Sequence, residues 1–297
     1  MNDRFALLPS GIELCYRTRG DTGARPLLLI AGLAQDLTTW AEPLLDRLAA
    51  AGFFVIHHDN RDIGRSTKMS AAPRPTPLQL LRGRPIPGAY GIADMTNDAS
   101  ALLDHLGIDT VDLVGQSMGG MIAQSLAVAE PRRTRSLVSI YSTTGQKGVG
   151  GAAWSTVARL GLPPARDRDQ FVRRHVALIR HLAGSGYPMD ETLERAYVEN
   201  AWDRAGGIEP AGIARQILAV QTAADRTAEL NQLGVPTLVI HGDRDRIVHP
   251  SGGRATAAAI PGARSITIPG MGHHLAPGLL SRLCELITEH CGQNASR

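Results

Sequence analysis

Short apolar runs alternate with segments of helical periodicity along most of the chain. Six runs are rich in branched apolar residues, often end at glycine or proline and have the length of buried strands: 27–32, 53–59, 111–115, 136–142, 236–242 and 264–270. Amphipathic helical segments separate most of them, including 42–52, 93–107, 121–131 and 278–292. Such alternation places parallel strands side by side, with helices on both faces. The sequence therefore predicts an α/β fold with a mostly parallel, doubly wound sheet.

Two shorter segments depart from this alternation. Residues 11–20 alternate polar and apolar side chains, which predicts an antiparallel edge hairpin with residues 4–8. Residues 72–91 contain five prolines, so we expect a long ordered loop there.

A longer interruption covers residues 145–233. It contains helical stretches, such as 169–184 and 190–206, and no convincing strand. We predict a helical cap, here named the cap segment, inserted into a core domain made of residues 1–144 and 234–297. Ligands of doubly wound sheets bind beyond the carboxyl ends of the strands, where the cap segment and the proline-rich segment both begin. Both are therefore expected to shape a site.

The composition argues against several classes of partner. The net charge is only +3, and the arginines are scattered among acidic residues, which is not typical of nucleic-acid binding. Three cysteines without close spacing predict neither a disulfide framework nor a zinc site. No run approaches the ~20 apolar residues of a membrane span, and the N-terminal residues lack the apolar core of a signal peptide. We expect a cytoplasmic protein with a small-molecule partner.

The stretch VDLVGQSMGGMI, at residues 111–122, crowds glycines around one serine. Gly115, Ser117 and Gly119 form a G-x-S-x-G pattern between an apolar run and a helical segment. On such a sharp strand-to-helix turn the serine Oγ is exposed at the top of the sheet, and small neighbours let strand and helix approach closely. Because the pattern also arises by chance in a glycine-rich chain, a packing role remains the alternative until partners for the serine are found.

A serine nucleophile needs a base to take its proton and an acid to orient that base. Asp243 and Asp245 follow the apolar run at 236–242, so both lie at the carboxyl end of a predicted strand. These residues alone leave both aspartates open as the acid.

Four histidines follow the two aspartates in sequence. His249 is too close to them for a strand and a helix to lie between, and His290 is expected on the surface of the final helix. His273 and His274 lie in a loop after the predicted strand at 264–270, from which either could reach the serine.

Five segments together match the motifs of one family: LLLIAGLAQDLTTW, VIHHDNRDIGRST, DLVGQSMGGMIAQ, PTLVIHGDRDRIV and IPGMGHHL. The chain resembles the α/β-hydrolase superfamily over nearly its whole length, and it is most similar to small bacterial esterases related to aclacinomycin methylesterase. The resemblance implies an α/β-hydrolase fold with a helical cap. It also selects among the candidates above: the H-G-x-x-D element favours Asp245 over Asp243, and the G-M-G-H element favours His273 over His274.

The resemblance also implies an oxyanion hole made of two backbone N–H groups. One belongs to the residue after the nucleophile, which is Met118, and the other to the loop after the third strand. Comparison with the family's H-G-x loop assigns the second donor to Leu33. Where the family often has histidine before the glycine of that loop, this chain has Ala31, which keeps the backbone donor but removes a brace of the loop.

Other conspicuous residues have structural interpretations. Asp59 and Arg61 match a family motif and are expected to brace a loop. His57 and His58 are adjacent strand residues whose side chains point to opposite faces, so they are not expected to share a metal ion. The three tryptophans are expected to pack in the core or the cap segment: Trp40, Trp154 and Trp202.

These features predict a cofactor-free serine hydrolase with no metal, in which Ser117, His273 and Asp245 form the triad. The resemblance favours a carboxylic ester of a small or medium apolar substrate. The same triad also serves hydrolysis of carbon–carbon bonds or thioesters and haloperoxidase-like perhydrolysis, and these remain alternatives together with a non-catalytic ligand receptor. Ser117 argues against dehalogenases and epoxide hydrolases, which have aspartate at this position. The sequence leaves the oligomeric state open.

Overall fold

A computed structural model describes residues 2–293 and contains one eight-stranded sheet. In chain order the strands are β1 Arg4–Leu7, β2 Glu13–Arg19, β3 Arg25–Ile30, β4 Phe53–His58, β5 Val111–Gln116, β6 Thr134–Ile140, β7 Thr237–Gly242 and β8 Arg264–Ile268. Their order across the sheet is β1-β2-β4-β3-β5-β6-β7-β8. β1 and β2 form the expected antiparallel edge hairpin, and β3 to β8 pair in parallel, which confirms the predicted sheet.

The predicted helical segments are present, and α2 is an additional helix. They are α1 Glu42–Ala50, α2 Pro77–Arg82, α3 Ile92–His105, α4 Met118–Ala129, α5 Trp154–Leu160, α6 Arg168–Leu182, α7 Glu191–Ala205, α8 Pro210–Gln221, α9 Thr227–Leu230, α10 Ser251–Ala259 and α11 Leu280–Gln293. Short 3₁₀ turns lie at Leu37–Thr39 and Pro277–Leu279.

Side-chain alternation along the strands builds two apolar cores, one on each face of the sheet. On β3, Leu28 and Ile30 pack with residues of α3 and α4, whereas Leu27 and Leu29 pack with residues of α1 and α11. All four side chains are fully buried, and burying a side chain of this size contributes about 1.5–3 kcal/mol. A strand that is apolar on both faces requires this arrangement.

The strand order changes direction between β3 and β5. The chain runs from β3 outward to β4 and then returns to the other side of β3 to form β5. In open α/β sheets a ligand binds at such a switch point, beyond the carboxyl ends of the strands. Ser117 directly follows β5, and the turn of residues 32–35 follows β3, so both lie at this position.

The prediction of a loop at residues 72–91 was wrong in part, because it contains α2. Thr76 caps this helix by accepting a hydrogen bond from the backbone N–H of Gln79, and the Gln79 side chain accepts one from the N–H of Thr76. Pro77 occupies the first position of the helix, where the missing N–H costs no hydrogen bond. The prolines that predicted a loop here therefore include one that begins a helix.

The cap segment contains α5 to α9 and, throughout residues 145–233, no strand. Buried arginines connect it to the rest of the chain. Arg215 of α8 makes two hydrogen bonds to the Asp62 carboxylate, at 2.7 and 2.8 Å, and Arg204 of α7 lies 2.8 Å from Asp59 Oδ2. Whether residues 145–233 form a separate cap domain stays a prediction.

Two expectations about single residues were wrong. His290 is buried rather than exposed, because it shares the apolar face of α11 with Leu283 and Leu286, and its Nε2 lies 3.3 Å from the Pro236 carbonyl oxygen. Trp154 is 88% exposed, since α5 buries only Thr156. Trp40 and Trp202 do pack as expected, Trp40 in the core and Trp202 against the Phe171 ring. Among residues 2–293 no helix has the length and apolarity needed to cross a membrane.

Candidate active site

Ser117 occupies a strained turn between β5 and α4. Its backbone has φ 54° and ψ −120°, a conformation that L-residues rarely adopt. The flanking glycines explain how the chain makes this turn: a Cβ on Gly115 would lie 2.2 Å from the Gly119 carbonyl oxygen, and one on Gly119 would lie 2.1 Å from the Ile30 carbonyl oxygen. The turn therefore requires both glycines, and such strain is typical of functional sites.

A chain of hydrogen bonds joins Ser117 to a histidine and an aspartate. Ser117 Oγ lies 3.0 Å from His273 Nε2, and His273 Nδ1 lies 2.6 Å from Asp245 Oδ2. The contact with the carboxylate identifies Nδ1 as the protonated nitrogen of a neutral His273, which leaves Nε2 free to accept the serine proton. The structure thus brings together the three residues selected from the sequence, although they lie up to 156 positions apart.

The Asp245 carboxylate is buried but well satisfied. Its Oδ1 accepts hydrogen bonds from the backbone N–H groups of Ile247 and Val248, each at 2.9 Å. Burial by itself would raise the pKa of Asp245, but the interactions with His273 and His241 outweigh burial and hold that pKa well below its usual range. Asp245 is therefore ionised whenever the protein is folded near neutral pH.

Both predicted oxyanion donors lie beside Ser117. Met118 is the next residue and begins α4, where backbone N–H groups have no partner within the helix. Leu33 belongs to the turn of residues 32–35, which packs directly on the serine: a Cβ on Gly32 would lie 3.3 Å from Ser117 Cβ. The N-terminus of α4 and the turn of residues 32–35 therefore both adjoin Ser117.

A model of the alpha/beta hydrolase fold family matches residues 25–276 of this chain. The chain belongs to the α/β hydrolase family. The match spans every element that positions Ser117, Asp245 and His273, from β3 to the loop after β8.

Two curated relatives of this α/β hydrolase are rhodomycin D methylesterases. DauP of Streptomyces sp. (strain C5) is 31% identical over 91% of this chain and 92% of its own length. DnrP of Streptomyces peucetius is 30% identical over 97% of this chain and 96% of its own. Among solved structures, the enol-lactonase of Burkholderia xenovorans LB400 has a TM-score of 0.73 and 25% identity, with 99% of this chain and all of that chain covered.

Two residues that contact the site of this α/β hydrolase are not marked by any motif in the sequence. The Tyr141 ring lies 4.2 Å from the His273 ring, and its hydroxyl donates to Gln116 Oε1. His241 Nε2 lies 3.4 Å from Asp245 Oδ2, on the same oxygen that contacts His273. Tyr141 follows β6, which pairs with the strand that leads to Ser117, and His241 lies near the end of β7, the next strand across the sheet, so the strand order was the information needed to find them.

The rejected candidates have other partners. Asp243 Oδ1 accepts a hydrogen bond from the Gly270 N–H at 2.6 Å. His274 Nε2 faces Glu194 Oε2 at 3.7 Å, and burial lowers the pKa of His274. His249 is exposed and its Nδ1 contacts Ser251 Oγ at 3.0 Å. Of the two adjacent histidines, the structure brings His273 to Ser117.

Side chains other than the family's usual histidine brace the turn at residues 32–35. Asn60 Nδ2 donates to the Ala31 carbonyl oxygen at 3.1 Å, and Gln35 Oε1 accepts from the Gly32 N–H at 3.0 Å. Asp59 accepts hydrogen bonds from the backbone N–H groups of Leu37 and Arg65, each at 2.7 Å, in keeping with its expected role as a brace.

The adjacent histidines on β4, His57 and His58, are buried and make no hydrogen bond to Ser117, His273 or Asp245 within the described residues. His57 Nδ1 lies 3.0 Å from the Leu37 carbonyl oxygen, and burial lowers the pKa values of His57 and His58 to about 4 each. Within the described residues, no group of three or more histidine, cysteine, aspartate or glutamate side chains is placed to hold a metal ion.

Proposed function

We propose that this α/β hydrolase is a serine esterase that cleaves a carboxylic ester through an acyl-enzyme. The observation that carries the proposal is the hydrogen-bonded chain Ser117–His273–Asp245, with 3.0 and 2.6 Å contacts, at a strained strand-to-helix turn. The methylesterase relatives and the enol-lactonase neighbour, all named for the hydrolysis of esters or lactones, support the same reaction.

In the acylation step, Ser117 Oγ attacks the carbonyl carbon of the ester while His273 Nε2 takes the hydroxyl proton. Asp245 fixes the His273 tautomer through Nδ1 and stabilises the positive charge that develops on the ring. Because its pKa is held low, Asp245 stays a carboxylate throughout. The new oxygen–carbon bond gives a tetrahedral intermediate with a negative oxygen.

The negative oxygen of the intermediate binds the N–H groups of Leu33 and Met118. Fixed donors in a water-poor site stabilise developing charge, and removal of one such donor typically lowers kcat by ~10²–10³-fold. His273 then gives its proton to the leaving alcohol. In the second half of the reaction His273 takes a proton from water, whose oxygen attacks the acyl carbon of the acyl-enzyme. His273 then returns this proton to Ser117 Oγ as the acyl carbon–Oγ bond breaks, which releases the acid and restores Ser117.

The substrate proposed is an ester whose apolar part is small or medium and lies under the cap segment. Methyl esters and lactones are the first compounds to test, because the relatives are named for them. The three cysteines are all free thiols, and two of them are buried. Because disulfides are rare in the reducing cytoplasm, free thiols support a cytoplasmic site of action.

Turnover of a substrate panel tests the proposal. The wild-type protein and Ser117→Ala are compared on chromogenic esters, methyl esters, a lactone, a thioester and a vinylogous diketone. We expect ester or lactone turnover that Ser117→Ala abolishes while folding is unchanged by circular dichroism. Turnover of the thioester or diketone alone would replace the proposed substrate class, and no turnover of any compound would favour a ligand receptor.

A further inference from the structure

The turn that carries Leu33 has a specific and strained geometry. The Gln35 N–H donates to the Gly32 carbonyl oxygen at 3.3 Å, which closes a four-residue turn. Ala34, its third residue, has φ +59°, whereas Leu33 does not have a positive φ. A left-handed third residue after a second residue with negative φ defines a type II turn, in which glycine is strongly preferred at the third position. Here an alanine occupies that position.

An alanine at this position favours a different turn. In the type I alternative the peptide between the second and third residues is flipped, and the third residue adopts a negative φ that alanine tolerates well. The flip reverses the direction of the Leu33–Ala34 peptide dipole, directly beside the Leu33 N–H. Some interaction outside the turn must therefore select the type II form.

Gln216, on α8 of the cap segment, makes that interaction. Its side chain is fully buried, and its Oε1 accepts a hydrogen bond from the Ala34 N–H at 2.9 Å. Its Nε2 donates to the Arg61 carbonyl oxygen at 3.0 Å. The second contact fixes which end of the amide faces Ala34, since a rotated amide would set its oxygen against the Arg61 carbonyl oxygen and its NH₂ group against the Ala34 N–H.

We infer that Gln216 is a positioning residue, which holds the turn in its type II form and so keeps the Leu33 N–H directed at the oxyanion. This inference rests on the proposed esterase function. A flipped peptide would take the Ala34 N–H away from Gln216 and leave a buried amide oxygen without its donor, which is unfavourable. The cap segment thereby contributes to the chemistry at Ser117 through a side chain that need not touch the substrate.

Four variants test the inference. Gln216→Met keeps the side-chain length and loses both hydrogen bonds. Ala34→Gly removes the Cβ that opposes the left-handed conformation, and it is made alone and together with Gln216→Met. Gln124→Met is the matched control, because Gln124 is also fully buried and bonds Ser139 Oγ at 3.1 Å, away from the turn.

We expect a loss of kcat in Gln216→Met that Ala34→Gly reverses. We expect Gln216→Met to lower kcat by about 10- to 100-fold with a smaller change in KM, which is less than the ~10²–10³-fold loss for a donor removed outright. Adding Ala34→Gly should restore most of kcat, because glycine adopts the type II turn unaided. Gln124→Met should lose stability and keep kcat within about twofold. A role of Gln216 in stability alone predicts no rescue by Ala34→Gly.

Wild-type ester turnover, measured first, tests the proposed function separately from the role of Gln216. If the wild type is inactive, a crystal structure of Gln216→Met still tests the role of Gln216. The inference requires that the turn of this variant changes to the type I form, in which Ala34 has a negative φ. Should Gln216→Met fold poorly, Ala34→Val replaces it, because a β-branched residue strongly disfavours the left-handed conformation and should cause the same loss of kcat. Unchanged kcat in a folded Gln216→Met, or a loss that Ala34→Gly fails to rescue, overturns the inference.

Discussion

The cap segment and the loop that carries His273 interlock through glycines. A Cβ on Gly184 would lie 1.9 Å from the Gly270 carbonyl oxygen and 2.4 Å from the Gly272 nitrogen. On the other side of the contact, a Cβ on Gly272 would lie 2.0 Å from the Leu182 carbonyl oxygen. The same carbonyl accepts a hydrogen bond from the His273 N–H at 2.9 Å. The position of the proposed base therefore depends directly on the end of α6.

The substitution Gly184→Ala should displace that base. Real Cβ atoms essentially never come within 3.0 Å of a neighbour, so the two loops must separate by about 1.1 Å, the difference between 3.0 and 1.9 Å. The atoms in the way are backbone atoms, which cannot rotate aside as a side chain can. A misplacement of about 1 Å can cost ~10²-fold in rate. We expect kcat to fall about 100-fold, and the free energy of unfolding to fall by about 1–3 kcal/mol.

The assay is ester turnover at saturating substrate, with a denaturant titration to confirm that the variant is folded. Gly151→Ala is the matched control, because it also lies in the cap segment and its added Cβ would meet nothing within 4 Å. It should leave kcat and stability unchanged. A folded Gly184→Ala protein with wild-type kcat would refute the idea that this contact positions His273.

Variants of the site, the cap segment and the core should each change one measurable property. His273→Ala should lose most of kcat, by up to ~10⁶-fold as in the best-studied triad, whereas His274→Ala should lose far less; equal losses in steady-state kinetics would mean that the two act as a unit. Exchanging the cap segment, residues 145–233, for that of another esterase should change the order of kcat/KM among esters, provided the contacts to the core are kept; an unchanged order would contradict this. The buried histidines His57 and His58 have pKa values of about 4 in the folded protein, below the value of ~6.5 in the unfolded chain. Unfolding therefore takes up protons below pH ~6.5, so the free energy of unfolding is highest above that pH and falls by about 3 kcal/mol for each histidine as the pH drops to 4. Urea titrations of the wild type and His58→Met across this range should show a smaller loss in the variant, and equal losses would refute the assignment.

Much of the fold could be predicted from the sequence because its strands are short apolar runs. The predicted strand at 236–242 differs by one residue from β7, Thr237–Gly242, and the antiparallel edge hairpin was found by its alternation alone. Hydrophobic periodicity is a local property, so it survives without knowledge of the tertiary structure. The failure at α2 has the opposite cause, since the local prolines favoured a loop and the capping of the helix decided otherwise.

The candidate site was predictable to the extent that it is encoded in local motifs. Gly115, Ser117 and Gly119 form one such motif, and the resemblance to a family chose between neighbouring aspartates and histidines. Side-chain periodicity would also have shown His290 to be buried, because it follows Leu283 by seven residues on an amphipathic helix. The catalytic roles of Ser117, His273 and Asp245 are proposals, which the variants and the labelling experiment test.

Contacts between distant segments could not be predicted. Gln216 reaches Ala34 across 182 positions, and Gly184 meets Gly270 because the cap segment packs on the loop after β8. Neither glutamine nor glycine carries a sequence pattern that marks such a contact. Tyr141 is a similar case, since the contact of its ring with the His273 ring depends on the order of strands in the sheet.

The most direct test of the central claim is to map covalent labelling by a fluorophosphonate, which reacts with activated serines. The intact wild-type protein is treated with a small excess of the reagent, and its mass and the modified peptide are determined by mass spectrometry. The account predicts one adduct, on Ser117, that is absent from Ser117→Ala and much slower to form in His273→Ala. An adduct on another residue, or labelling of Ser117 that is equally fast without His273, would contradict it.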